Sequence, residues 1–196
     1  TEDGFKIFTR DNLINILNTI NSVQSDIFND FKEYIQGIEN EVNAFVIKEN
    51  WNHKNWIGFF KFLQKELNRG DWGYVSNPNG GFMGYWWAFQ KNDHCWQYLQ
   101  IQQNELVLKI NSHQKENATK YRNLCYKHYL ESANNDNLPF TKPSRFGKGE
   151  TMTILTTEYL IRNKDTNLID LEKTLKNIQR YTLFIEQHAL KADSFI

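Results

Sequence analysis

The sequence predicts an α+β fold, a mainly antiparallel sheet packed with helices, and three observations carry the prediction. The stretch from Trp72 to Ile110 holds four of the six tryptophans, Trp72, Trp86, Trp87 and Trp96. Its aromatic and β-branched residues come in short runs separated by Asn77-Pro78-Asn79-Gly80-Gly81, Lys91-Asn92-Asp93 and Gln103-Asn104, the punctuation of strands joined by tight turns. On either side, apolar residues recur every three or four positions, which is helix periodicity. Finally, Met152 to Ile161 is again β-rich and returns a strand to the sheet.

At 196 residues the chain is long enough for one well-buried core and short for two. One domain is expected over 1–196, helical over 1–50, with the sheet and its covering helices over 51–196. Lys and Arg number 23 and Asp and Glu number 23, so nucleic-acid binding would need local patches rather than a globally basic surface. No apolar run approaches the ~20 residues that span a bilayer, and Glu2, Asp3 and Lys6 do not make a signal peptide. A cytoplasmic protein with no membrane partner is expected. The first residue is Thr1 rather than methionine, which implies a chain processed or cut from something longer.

The elements follow in order. Thr9 caps a helix near 10–20 with Asp11 in its first turn, and Gly4 to Phe8 alternates briefly enough to be an edge strand. Ile27, Phe31, Tyr34, Ile38, Val42 and Phe45 mark a long amphipathic helix near 25–47. Trp56, Phe59, Phe60, Leu63 and Leu67 mark a third near 55–69, ended by Arg69 and Gly70 as last-turn cation and C′ glycine. Strands are predicted near 72–76, 82–90, 95–103 and 105–111.

Phe82 to Phe89 has no charge and carries large rings on both faces. Such a strand is either covered on both sides or uses its second face for binding; burial of Trp72, Trp86 and Trp87 in the core is the expectation. In the following hairpin Trp96, Tyr98, Gln100 and Gln102 alternate with Gln97, Leu99 and Ile101. Leu106, Leu108 and Ile110 alternate with Glu105, Val107 and Lys109, so one face of this hairpin is partly polar.

A helix near 113–132 turns Ala118, Tyr121, Leu124, Cys125 and His128 inward. Lys115, Lys120, Arg122 and Lys127 turn outward against only Glu116 and Glu131, so it is locally basic. Pro139, Pro143, Gly147 and Gly149 keep 134–149 as a long loop. This loop sets Lys142, Arg145 and Lys148 beside Phe140 and Phe146, a mixture of cations and rings that suits phosphate and base contact. With Lys120, Arg122 and Lys127 these residues form the candidate nucleic-acid-binding set, a solvated loop pinned by its aromatics being the alternative. A strand near 151–161 and a helix near 167–189, through Leu171, Leu175, Ile178 and Ile185, complete the chain.

Catalytic signals are sparse. Cys95 and Cys125 read as buried free thiols, and His53, His94, His113, His128 and His188 are scattered without His-Glu-x-x-His spacing, so no metal site or cofactor is expected. Gly-x-Ser-x-Gly, P-loop and Rossmann patterns do not occur; Gly147-Lys148-Gly149 is only a weak phosphate hint.

Several motifs, taken in order, resemble the C-terminal region of bacterial proteins of the PD-(D/E)XK nuclease family. They are Arg10-Asp11-Asn12-Leu13, Trp72-Gly73-Tyr74-Val75, the block from Asn77 to Trp87, Tyr98-Leu99-Gln100-Ile101 and Gly149-Glu150-Thr151-Met152-Thr153. The resemblance covers most of the chain and implies a nuclease core upstream, with Mg²⁺ in that core and a role in defence against phage or foreign DNA. The nuclease motif itself does not carry over. It needs an acid on one strand and acid-x-Lys on the next, whereas Leu106-Val107-Leu108-Lys109 puts valine where the second acid should stand. The chain by itself is therefore expected not to cleave nucleic acid.

Three functions compete: nucleic-acid recognition beside the nuclease core, a protein-interaction or self-association module forming homo-oligomers, and a degenerate restriction-nuclease-like fold with Glu105, Gln100 and Lys109 as its remnant site.

Overall fold

The structure, a computed structural model, describes residues 10–20, 25–77, 80–146 and 149–195. The edge strand expected at Gly4 to Phe8, the Thr9 cap, the centre of the Asn77–Gly81 turn and Lys148 lie outside these residues. Strands β1 Asp71–Val75, β2 Phe82–Lys91, β3 Cys95–Gln102, β4 Glu105–Ser112 and β5 Thr151–Glu158 form one sheet in that order. Every neighbouring pair is antiparallel. The helices are α1 Arg10–Thr19, α2 Asp26–Asn43, α3 His53–Leu67, α4 Ala118–Asn135 and α5 Leu171–Gln187. The protein is α+β, as the sequence predicts.

Element ends move for local reasons. The helix expected to run through Ile47 stops at Asn43 and tightens into a 3-10 turn over Ala44–Val46. α3 begins at His53 because Asn52 and Asn55 cap each other's backbone N–H groups. It ends with Asn68 in the left-handed conformation, at φ 49, so Asn68 and not Gly70 terminates it. α5 starts at Leu171 rather than 167, where the Asp170 carboxylate accepts from the Lys173 N–H at 3.0 Å.

One sheet face is the core. Tyr85, Leu99, Ile101, Leu106, Leu108, Ile110 and Leu155 are fully buried on it. Against them lie α3 through Phe60, whose ring stacks on Tyr85 at 5.9 Å, and α4 through Tyr129, which donates to the Gln97 amide oxygen at 2.5 Å. The segment after α5 also docks there, the Leu190 carbonyl accepting from Gln97 at 2.7 Å. Each fully buried Leu or Ile stabilises the fold by about 1.5–3 kcal/mol relative to exposure. α2 packs outward on α3, and α1 on α2.

The expected apolar stripe of α2 divides accordingly. Ile35 and Val42 are buried where the helix meets its neighbours, whereas Ile27, Phe31 and Tyr34 are exposed. The three tryptophans expected in the core divide too. Trp87 is 3% exposed, Trp72 packs partly against the core, and Trp86 points to the opposite face. Cys95 on β3 and Cys125 on α4 are buried, free and in thiol–thiol contact; the hydrogen bond with the Cys95 thiol, and then burial, push the Cys125 thiol up.

Candidate functional site

Among the described residues no helix covers the second sheet face, on which Ala88 and Trp96 are exposed. Strand register arranges this face in rows running across the sheet. Trp86, Gln100, Val107 and Thr156 form one row, Ala88, Tyr98, Lys109 and Thr153 the next, and Lys91, Trp96, Asn111 and Thr151 the last. Between Trp86 and Trp96 lies a cleft of about 310 Å³, lined also by Ala88, Tyr98, Gln100 and Asn111. The small Ala88 side chain leaves the depression that the rings surround.

Three local features build this surface. Phe89 is an extra residue between Ala88 and Gln90, a β-bulge that reverses the alternation of β2 beyond it. Without the bulge Lys91 would face the core; with it, the Lys91 ammonium sits 4.5 Å from the centre of the Trp96 ring. Gly73 and Gly84 pair on adjacent strands, and their missing side chains let others lie flat: a Cβ on Gly73 would stand 3.4 Å from the Trp86 ring, and one on Gly84 3.4 Å from the Gln100 amide nitrogen. Gln100 is 4% exposed, and that nitrogen has no hydrogen-bond partner in the protein. Thr156 Oγ1, two strands away in the same row, is buried and unpartnered as well.

The electrostatics of the face are uneven. Lys109, paired in register with Tyr98, is half-buried; burial lowers its pKa, and no carboxylate among the described residues offsets this. Asp71 lies at the β1 edge beside Trp86, and Glu105 and Glu158 meet at the far end of β4 and β5. The two rows nearest the cleft's Trp96 end carry lysines and no acid.

Burial pushes the Tyr98 phenol from 10.0 up to about 12, and Tyr85 on the core face is raised to about 12 as well. A folded pKa above the unfolded one means stabilisation that is complete below the unfolded value, about 10, and lost as pH rises through 12. Alkaline titration of phenolate absorbance is expected to show two tyrosines ionising near pH 12 in wild type and one fewer in Tyr98→Phe. Loss of a phenol ionising near 10 instead would place Tyr98 in open solvent.

The cationic set expected from sequence is dispersed by comparison. Lys120 and Lys127 are exposed two turns apart on α4, and Lys142 and Arg145 are exposed in the loop. Arg122, expected to face outward, is 7% exposed because its guanidinium lies 4.5 Å over the Phe146 ring. Lys142 approaches the same ring at 5.0 Å and Tyr126 at 5.7 Å, so these residues hold the loop against α4. Phe140 is 3% exposed, stacked on Phe184 at 5.8 Å and edge-on to Tyr181 at 5.2 Å; it is a core ring and offers no stacking surface. Lys148 is outside the described residues.

Glu105, Gln100 and Lys109, the candidate remnant of a nuclease site, do share this second sheet face. The register adds Glu158 opposite Glu105, a juxtaposition invisible in the sequence, but both carboxylates are exposed and the buried Val107 separates them from Lys109. Among the described residues no three His, Cys, Asp or Glu side chains gather to hold a metal ion.

The ring-bearing cleft was missed as a site by sequence reasoning, although its signals were present: an uncharged strand with rings on both faces and a hairpin with one partly polar face. No described helix is long and apolar enough to cross a membrane. No family model, curated protein or solved structure matches the chain.

Proposed function

We propose that this chain is a non-catalytic recognition module that binds nucleic acid through the second face of its sheet, on which Trp96 and Ala88 are exposed. On the family resemblance it would stand beside a nuclease core, with Mg²⁺ belonging to that core. The observation that carries the reading is the combination of Trp86, Trp96 and Tyr98 with Lys91 and Lys109 on one sheet face. Bases present planar π-faces and phosphates present negative charge, and rings interleaved with cations complement both. The exposed Lys120, Lys127, Lys142 and Arg145 provide a second, purely electrostatic surface.

The test is a fluorescence-anisotropy titration with oligonucleotides at two salt concentrations. Lys91→Ala/Lys109→Ala is expected to weaken binding and to reduce the salt slope by about 0.7–0.9 for each phosphate that is no longer neutralised. Lys142→Ala/Arg145→Ala/Lys148→Ala is expected to have the smaller effect. No binding by wild type, or equal affinity for wild type and the sheet-face variant, would overturn the reading.

Self-association is the second reading, and the observation favouring it is the exposed apolar stripe of Ile27, Phe31 and Tyr34, with Ile27 83% exposed. Sedimentation velocity at increasing concentration, with Ile27→Lys as the control, separates it from the first.

A further inference from the structure

We infer that the cleft between Trp86 and Trp96 holds one unpaired nucleotide, its base against the rings, its edge read by the Gln100 amide and its phosphate drawn to Lys109. This rests on the nucleic-acid reading and adds the state of the strand and the unit recognised.

Three independent features converge on that occupant. The first is shape. The cleft is a single depression of about 310 Å³ above Ala88, walled by indole and phenol rings. A base in a duplex has its faces covered by its neighbours and cannot enter such a depression, whereas an unpaired base offers both faces for stacking. The second is the Gln100 amide. Gln100 lines the cleft, and its nitrogen is buried without a partner beside Gly84; burying an unmet donor is unfavourable until a turn of the side chain brings it an acceptor. A carboxamide has a donor and an acceptor side by side, the pattern needed to read the edge of a base. Asn111, opposite Trp96, adds a second amide at the other end.

The third feature is charge. Lys109 flanks Tyr98 with no acid in its row, and Lys91 sits over Trp96. Among the described residues of the sheet, the acids lie toward the opposite end, at Asp71, Glu105 and Glu158. This gradient orients an anionic group toward Lys109 and leaves the ring end of the ligand near Trp86 and Gln100. An uncharged planar or sugar ligand would leave that ammonium uncompensated in a half-buried position.

The experiment compares binding of a single-stranded oligonucleotide, the corresponding duplex, nucleoside 5′-monophosphates and free nucleosides to the full chain, read by anisotropy and by tryptophan quenching. The single strand is expected to bind at least about tenfold tighter than the duplex. Trp96→Ala should lose roughly fivefold to a hundredfold, the range for one stacked base. Trp96 is 40% exposed, so the melting temperature of this variant serves as the check that it folds. Lys109→Gln should weaken the monophosphate and leave the nucleoside unchanged, and Gln100→Leu should alter the order of preference among the four bases.

Equal affinity for single strand and duplex, with Trp96→Ala binding like wild type, would overturn the cleft assignment and leave nucleic-acid binding to the cationic α4 and loop surface. Failure of every oligonucleotide to bind wild type would remove both. Binding of a neutral oligosaccharide, indifferent to Lys109→Gln, would also overturn both and give the cleft to a sugar.

Discussion

Replacing Gly58 by alanine is expected to lower the unfolding free energy by about 2–4 kcal/mol, although alanine is the better helix former by about 1 kcal/mol. A Cβ at this position would stand 2.0 Å from the Val42 carbonyl oxygen and 2.9 Å from Phe45 Cδ1. The first of these is main chain and cannot rotate away, so α2 and α3 must separate to admit a single methyl group. Separation would disturb the contacts fixed by that crossing, including the buried Asn55 amide donating to the Glu41 carbonyl at 2.7 Å. Gly37 is the control, because it lies on α2 with nothing within 4 Å of an added Cβ. Gly37→Ala is expected to gain about 0.5–1 kcal/mol. Thermal and denaturant melts of the two variants should move in opposite directions, by roughly 2–4 °C per kcal/mol for a chain of this length. A Gly58→Ala melting temperature at or above wild type would mean that the two helices do not cross as described.

The helices and the meander were legible because their signals are local. Turn residues separate β2, β3 and β4, and the three-to-four-residue spacing of Trp56, Phe59, Phe60 and Leu63 belongs to α3 wherever it packs. Facing was legible only in part. The alternation of Trp96, Tyr98 and Gln100 with Gln97, Leu99 and Ile101 identified two faces, but choosing the covered one depends on where α3, α4 and α5 dock, which is tertiary. The same limit explains Trp86, whose ring lies over Gly73 on the face opposite the core while Tyr85 and Trp87 enter the core. A bulge at Phe89 has no sequence signature here, and it moves Lys91 onto Trp96.

Charge misled at Arg122, where a guanidinium on a helix suggested solvent and instead found the Phe146 ring of the following loop. Phe140 misled for the complementary reason: a loop ring looks available until α5 packs against it through Phe184 and Tyr181. On α2 the period was right, but spacing states that Ile27, Phe31 and Tyr34 share a side without stating what meets it.

The other large effect is expected at Gln97, a fully buried amide that ties three parts of the fold together. Its nitrogen donates to the Leu190 carbonyl at 2.7 Å and its oxygen accepts from the Tyr129 hydroxyl at 2.5 Å, while that hydroxyl accepts from the Leu190 N–H at 3.3 Å. The closed ring pins the segment after α5 to β3 and α4, and burial raises the Tyr129 phenol well above its ordinary pKa. Gln97→Leu keeps the apolar packing but strands the Tyr129 hydroxyl proton and the Leu190 carbonyl. Each orphaned group costs about 1–3 kcal/mol, so the variant should lose about 2–5 kcal/mol. Tyr129→Phe alone should also destabilise, because the Gln97 oxygen then loses its donor. Removing both polar partners together avoids part of each penalty, so Gln97→Leu/Tyr129→Phe should be more stable than the sum of the single losses by about 0.5–3 kcal/mol. Denaturant unfolding of the four proteins gives the coupling directly, and strictly additive losses would show that Gln97 and Tyr129 act on stability separately rather than through the bond between them.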